Sequence, residues 1–149
     1  MLMKNKYPIY IVSKGRADSR LTSKALERMN ADYYIVVEEQ EFDIYAKVID
    51  PNKILILPQK YLDEYDTFDD LGNTKSKGPG GARNFAWEHS IGIGAKRHWV
   101  MDDNIENFCR LNRNKMVRSY TTSIFRCAED FVDRYTNVYI SGFNYDFFV

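Results

Sequence analysis

The chain has 149 residues, a 44% apolar fraction, and 21 Lys plus Arg against 21 Asp plus Glu. That length fits one domain with a core of its own. Zero formal charge removes any global electrostatic case for nucleic acid or an anionic membrane, but leaves room for a local basic patch. Cys109 and Cys127 alone form no disulfide framework. No apolar run nears the ~20 residues of a bilayer span, and Met1 to Tyr7 carries no signal-peptide apolar region. These features read as a reduced, cytoplasmic protein with no membrane partner.

Tyr7 to Val12 is a nearly continuous apolar run ending in Ser13-Lys14-Gly15-Arg16, which predicts a buried strand entering a turn. Asp18 or Ser19 is the expected cap of a helix carrying Leu21, Ala25, Leu26 and Met29 on one face. Tyr33 to Val37 predicts a second buried strand, closed by Glu38-Glu39. A short helix follows, with Phe42, Tyr45, Ala46 and Ile49 at helical spacing, broken by Asp50-Pro51-Asn52. Ile54 to Leu57 predicts a third strand.

Residues 59–81 are acidic first and glycine-rich afterwards, which reads as a surface excursion and a mobile loop. Ala82 to Ile91 predicts a helix with Ala82, Phe85, Ala86 and His89 inward, ended by Gly92 and Gly94. His98 to Met101 predicts a fourth strand running into Asp102-Asp103-Asn104. Ile105 to Arg118 reads as strand or hairpin. Thr121 or Thr122 caps a helix with Ile124, Phe125, Ala128, Phe131, Val132 and Tyr135 on one face. Asn137 to Ser141 and Phe143 to Val149 read as final strands. The apolar end Tyr145 to Val149 either pairs into the sheet or marks a piece of something longer. Strands alternating with helices imply an α/β fold, a mostly parallel sheet flanked by helices, in one domain over 1–149.

Open parallel sheets bind ligands outside the carboxyl ends of their strands. Asp102, Asp103 and Asn104 form a hard-oxygen cluster suited to Mg²⁺ or Mn²⁺, which combine carboxylates with substrate phosphates. The bland alternative is a solvated turn. Ser13, Lys14 and Arg16 offer a hydroxyl and two cations at a helix start, an anion or nucleotide cradle, or else an ordinary polar turn. Lys77, Arg83 and Asn84 flank Gly78-Pro79-Gly80-Gly81, where a helix start holds pyrophosphate or the segment is a linker. It is neither a Walker A loop nor a Rossmann fingerprint. His89 and His98 lack partners at zinc-ligand spacing and read as structural. Arg110, Arg113, Lys115 and Arg118 make a basic run, read first as a solvated strand edge, though phosphate backbones attract such cations.

The order of these segments resembles the GT-A glycosyltransferases, and in particular the TET-associated glycosyltransferases of phages and bacteria. The motifs are a strand ending in Ser13-Lys14-Gly15-Arg16, then Gly78-Pro79-Gly80-Gly81-Ala82-Arg83-Asn84 opening a helix, then a strand ending in Asp102-Asp103-Asn104. The resemblance covers about residues 7 to 142. It implies a GT-A fold, a UDP- or GDP-sugar donor, a divalent metal, and hydroxymethylated pyrimidine in DNA as acceptor. Asp102-Asp103-Asn104 stands where that fold carries Asp-x-Asp, with Asn104 replacing the last acid. Ser13 and Arg16 would touch the donor's base or ribose, Glu38 would sit near the base, and Arg83 and Asn84 would face the ribose or diphosphate. Lys77 or Arg83 would help the metal stabilise the leaving diphosphate. An inverting enzyme also needs a carboxylate base beyond the metal strand, for which Asp146 and Glu106 are the candidates. The short chain and apolar end suggest a small or truncated acceptor half. The exposed remainder of such a sheet could dimerise by edge pairing. Two other readings stay open, a nucleotidyltransferase of similar topology and a non-catalytic module that binds a nucleotide or a partner.

Overall fold

The computed structural model describes residues 4–65 and 78–144. Four short apolar runs become the strands β1 (Ile9–Val12), β2 (Tyr34–Val37), β3 (Ile54–Ile56) and β4 (Trp99–Asp102). They form one all-parallel sheet in the order β3-β2-β1-β4. Central strands of such a sheet are covered on both faces, so they read as unbroken apolar runs. Ile9, Tyr10, Ile11 and Val12 are all buried.

One face of the sheet packs on α1 (Leu21–Arg28), α2 (Phe42–Ala46) and α5 (Ser123–Val132). Its core contains Ile11, Leu26, Ile35, Tyr45, Met101 and Phe125. The other face packs on α3 (Gln59–Asp63) and α4 (Gly80–Gly92), through Tyr10, Val36, Leu57, Tyr61 and Ala86. Each fully buried large side chain contributes about 1.5–3 kcal/mol of transfer free energy. His89 and His98 lie edge-on to Tyr10 within this second layer, as structural histidines would.

Within residues 59–81, Gln59–Asp63 form α3 and bury Tyr61, while the glycine-rich loop up to Lys77 lies outside the described residues. The glycines that open α4 have a packing reason. A Cβ on Gly81 would stand 2.6 Å from the Tyr61 carbonyl oxygen, and one on Gly80 would overlap the Tyr65 ring. Only glycine lets α4 approach α3 this closely.

Three expectations are corrected. Neither Asp18 nor Ser19 caps α1. Arg20 holds the N-cap position with φ 43°, and the Thr22 N–H donates to the Asp103 carbonyl at 3.3 Å. The helix start is satisfied by another part of the chain instead of by its own cap. Residues 137–141 form no strand; Tyr139 and Ile140 are 86% and 93% exposed, and of the run's apolar side chains only Val138 is half-buried among the described residues. Phe131 and Tyr135 are also exposed. With Trp99, Val132, Val138 and Phe143 they line an apolar cleft of about 410 Å³. Phe143 is irregular in backbone and stacks beside Trp99 and Phe125. Residues 145–149 lie outside the described residues.

Beyond β4 the chain forms a separate antiparallel ribbon, β5 (Cys109–Asn112) and β6 (Lys115–Arg118). At the opposite end of the sheet, the buried Glu129 of α5 accepts hydrogen bonds from the backbone N–H groups of Lys6 (2.6 Å) and Tyr7 (3.2 Å) and from the Trp99 indole (2.9 Å). No helix among the described residues is long and apolar enough to cross a membrane.

Candidate functional site

In the order β3-β2-β1-β4 the chain reverses direction of travel across the sheet between β1 and β4. The carboxyl ends of those two strands flank a topological switch point, where α/β sheets open a ligand crevice. Val12 pairs with Asp102, so the next residues, Ser13 and Asp103, emerge side by side.

They are bonded there. Ser13 Oγ donates to Asp103 Oδ2 at 2.8 Å, and the Arg16 guanidinium donates to Asp103 Oδ1 at 2.8 Å. The Arg83 guanidinium, in the first turn of α4, donates to Asp102 Oδ1 at 2.6 Å. The ammonium of Lys14 meets Glu38 Oε1 at 2.6 Å at the end of β2. The three separate motifs of the sequence therefore meet at one sheet edge, each cation against a carboxylate. Like charges at Asp102 and Asp103 are tolerable because an arginine faces each. The two acids differ in access. The Asp103 side chain is 13% exposed with both oxygens engaged, whereas that of Asp102 is 42% exposed.

The sequence matches the family model of the TET-Associated Glycosyltransferase over residues 7–149. The chain belongs to that family. Its activity class is accordingly glycosyl transfer, and the readings as a nucleotidyltransferase or a binding-only module are set aside. No curated protein and no solved structure matches the chain.

Three further residues brace this cluster without standing out in the sequence. Tyr45 of α2 is buried, and its hydroxyl bonds Ser13 Oγ at 2.6 Å and accepts from the Arg16 N–H at 3.2 Å. Burial pushes its phenol pKa up, so it stays a neutral hydroxyl through the physiological range. The available signal was a tyrosine on an otherwise apolar helix face, since a buried phenol needs a partner for its oxygen. Glu41 accepts from the Gly15 N–H at 2.5 Å and holds the loop at its left-handed glycine. Thr22, fully buried in α1, donates to the Asp102 carbonyl at 2.6 Å and accepts from the Ile105 N–H at 2.9 Å. It clamps both ends of the Asp102–Asn104 turn.

The remaining expected site residues divide. Asn84 and Asn104 are exposed, the first in α4 and the second at the tip of the turn. Glu106 is exposed too, and its carbonyl accepts from Arg28 at 2.8 Å. Lys77 and Asp146 lie outside the described residues. Among the described residues no three His, Cys, Asp or Glu side chains gather as a metal cage.

Proposed function

We propose that this glycosyltransferase is of the GT-A type. It moves a sugar from a UDP- or GDP-sugar to an acceptor hydroxyl, with Mn²⁺ or Mg²⁺ at the Asp102–Asp103 turn and hydroxymethylated pyrimidine in DNA as the acceptor. The observation that supports this reading is the meeting of Ser13, Arg16 and Arg83 on the two carboxylates at the switch point.

The donor set fits a divalent ion in part. Two carboxylates and the exposed Asn104 amide are hard oxygen ligands, and Mg²⁺ or Mn²⁺ completes such a set with substrate phosphates. When bound, the ion neutralises charge developing on the departing diphosphate. The chain's own groups do the rest. Arg83, about half exposed, would face the diphosphate, with Lys77 as a second cation. Ser13, Lys14, Arg16, Glu38 and Asn84 would hold the nucleoside end.

In the transfer the acceptor oxygen attacks the anomeric carbon, and the bond from that carbon to the diphosphate oxygen breaks. The acceptor proton passes to a carboxylate base, for which Asp146 and Glu106 are the candidates. Edge pairing through β3, whose Ile56 is exposed, would give a homodimer.

Calorimetry tests the reading. Titrating UDP- and GDP-sugars with and without Mn²⁺ should show metal-dependent binding, lost in Asp102→Asn. Metal-independent binding, or none with either nucleotide, would sink it.

A further inference from the structure

We infer that the β5–β6 ribbon is a docking element for duplex DNA. The inference takes its partner class from the acceptor reading above and its location from the ribbon itself.

All eight strand residues, Cys109–Asn112 and Lys115–Arg118, are exposed. The ribbon thus covers no core, although a two-stranded hairpin gains little stability by itself. Its root is fixed to the protein. Phe108 is buried against Phe125, and the Ser119 N–H donates to the Phe108 carbonyl at 2.8 Å.

The charge of the ribbon has one sign. Between Glu106 and Glu129 there is no acid, while Arg110, Arg113, Lys115 and Arg118 lie on the ribbon or its turn. Among the described residues none of these four makes an ion pair. The cations of the donor crevice are each matched to a carboxylate; those of the ribbon face solvent. Unmatched cations on an exposed element fit a polyanion, and two of them, Arg110 and Lys115, share a face while Arg118 lies on the other.

Shape narrows the class. The register pairs Arg110 with Val117 and Asn112 with Lys115, so Arg110, Asn112 and Lys115 share one face. Arginine and lysine donate to guanine, and asparagine pairs with adenine, at base edges in the major groove. That groove, about 12 Å wide, admits a two-stranded ribbon, and four residues per strand give it about 14 Å of length to lay along the groove. The turn puts Arg113 at the tip with φ 49°, a conformation that arginine disfavours.

Position completes the argument. Asn104 and Cys109 are five residues apart, at most about 18 Å of chain. A duplex seated on the ribbon is therefore held near the Asp102–Asp103 turn, where the sugar would be released.

The test uses the whole chain and a 20-base-pair duplex, read by fluorescence anisotropy across a salt series. The wild type should bind with a steep salt dependence. In the double variant Arg110→Gln, Lys115→Gln the affinity should fall about tenfold or more, and the slope of log affinity against log salt should shrink by about 2. UDP-sugar binding in Mn²⁺ should be unchanged, which also reports that the variant is folded. Equal duplex binding by the variant would overturn the ribbon's role while leaving a DNA acceptor standing. Tighter binding to a single strand or to polyglutamate than to the duplex would overturn the duplex. Separately, sugar transfer is measured to a duplex carrying hydroxymethylcytosine. Ribbon-dependent binding with no transfer would remove the acceptor reading and leave the ribbon as a DNA-binding element.

Discussion

Replacing Tyr45 by Phe removes one oxygen from a fully enclosed position and leaves the ring in place. That oxygen has two partners, Ser13 Oγ at 2.6 Å and the Arg16 N–H at 3.2 Å. The first is a short bond at a buried site and is worth about 1 kcal/mol net; the second is long, and water can replace it at the half-exposed Arg16, so it adds at most about 0.5–1 kcal/mol. Ser13 Oγ retains Asp103 as an acceptor. The sum is about 1–2 kcal/mol, which in a domain of this size lowers the melting temperature by about 3–6 °C. Urea unfolding followed by tryptophan fluorescence should show a lower midpoint with an unchanged slope. Because the hydroxyl holds both ends of the Ser13–Arg16 loop, metal-dependent binding of the donor should also weaken about tenfold, equivalent to about 1.4 kcal/mol. A wild-type midpoint would refute the hydrogen-bond assignment. Lost stability with wild-type donor affinity would refute the idea that this loop cradles the donor.

Other substitutions probe the same geometry. Thr22→Val keeps the shape but strips the clamp from the Asp102–Asn104 turn, taking a partner from a half-buried N–H and carbonyl; it should cost about 1–2 kcal/mol in urea unfolding and weaken Mn²⁺-dependent donor binding as well. Gly81→Ala forces a Cβ against the Tyr61 carbonyl and should lower stability by about 1–3 kcal/mol in thermal melts; an unchanged melting temperature would show that α3 can move aside. Arg83→Gln frees Asp102, so Mn²⁺ alone should bind more tightly to the variant while the UDP-sugar binds less tightly in calorimetry; a parallel loss of both would mean that Arg83 supports the turn. Burial holds the His98 pKa below its ordinary value of 6.5. Between the folded and unfolded pKa values the unfolded chain binds the extra proton, so this stability is complete above about pH 6.5 and declines as pH falls below it. His98→Gln should flatten the stability profile between pH 5 and 7, and an unaltered profile would assign that slope to other groups.

The strands were legible because buried parallel strands need no polar alternation: β1 to β4 each appear as an apolar run, closed by polar residues at β1, β2 and β4 and by Pro58 after β3. The sheet order was not, since nothing local tells β4 to pair with β1. The convergence of Ser13 and Arg16 with Asp103 follows from that pairing alone. Tyr45 stood only among the apolar positions of a helix and Thr22 drew no reading, because their partners lie 29 to 83 positions away. Residues 137–141 misled for the converse reason. Their apolar character suits a strand, but Phe143, not Tyr139 or Ile140, found the aromatic surface of Trp99. The basic run was read as a strand edge, and its hairpin register emerged from the pairing of Cys109 with Arg118 and Asn112 with Lys115.

Glu129 sits about 20 Å of strand from the crevice, six residues back along β1 from Ser13 to Tyr7. It grips the leading ends of β1 and β4 together, through the Lys6 and Tyr7 amides on one side and the Trp99 indole on the other. A slip of one residue between those strands would take Asp102 away from Val12 and turn Asp103 to the wrong side of the sheet, away from Ser13. The alignment of the two halves of the crevice is thus set like type in a frame, clamped from the far margin. In a mutational screen, Glu129 would register among the residues of the crevice although it touches nothing there.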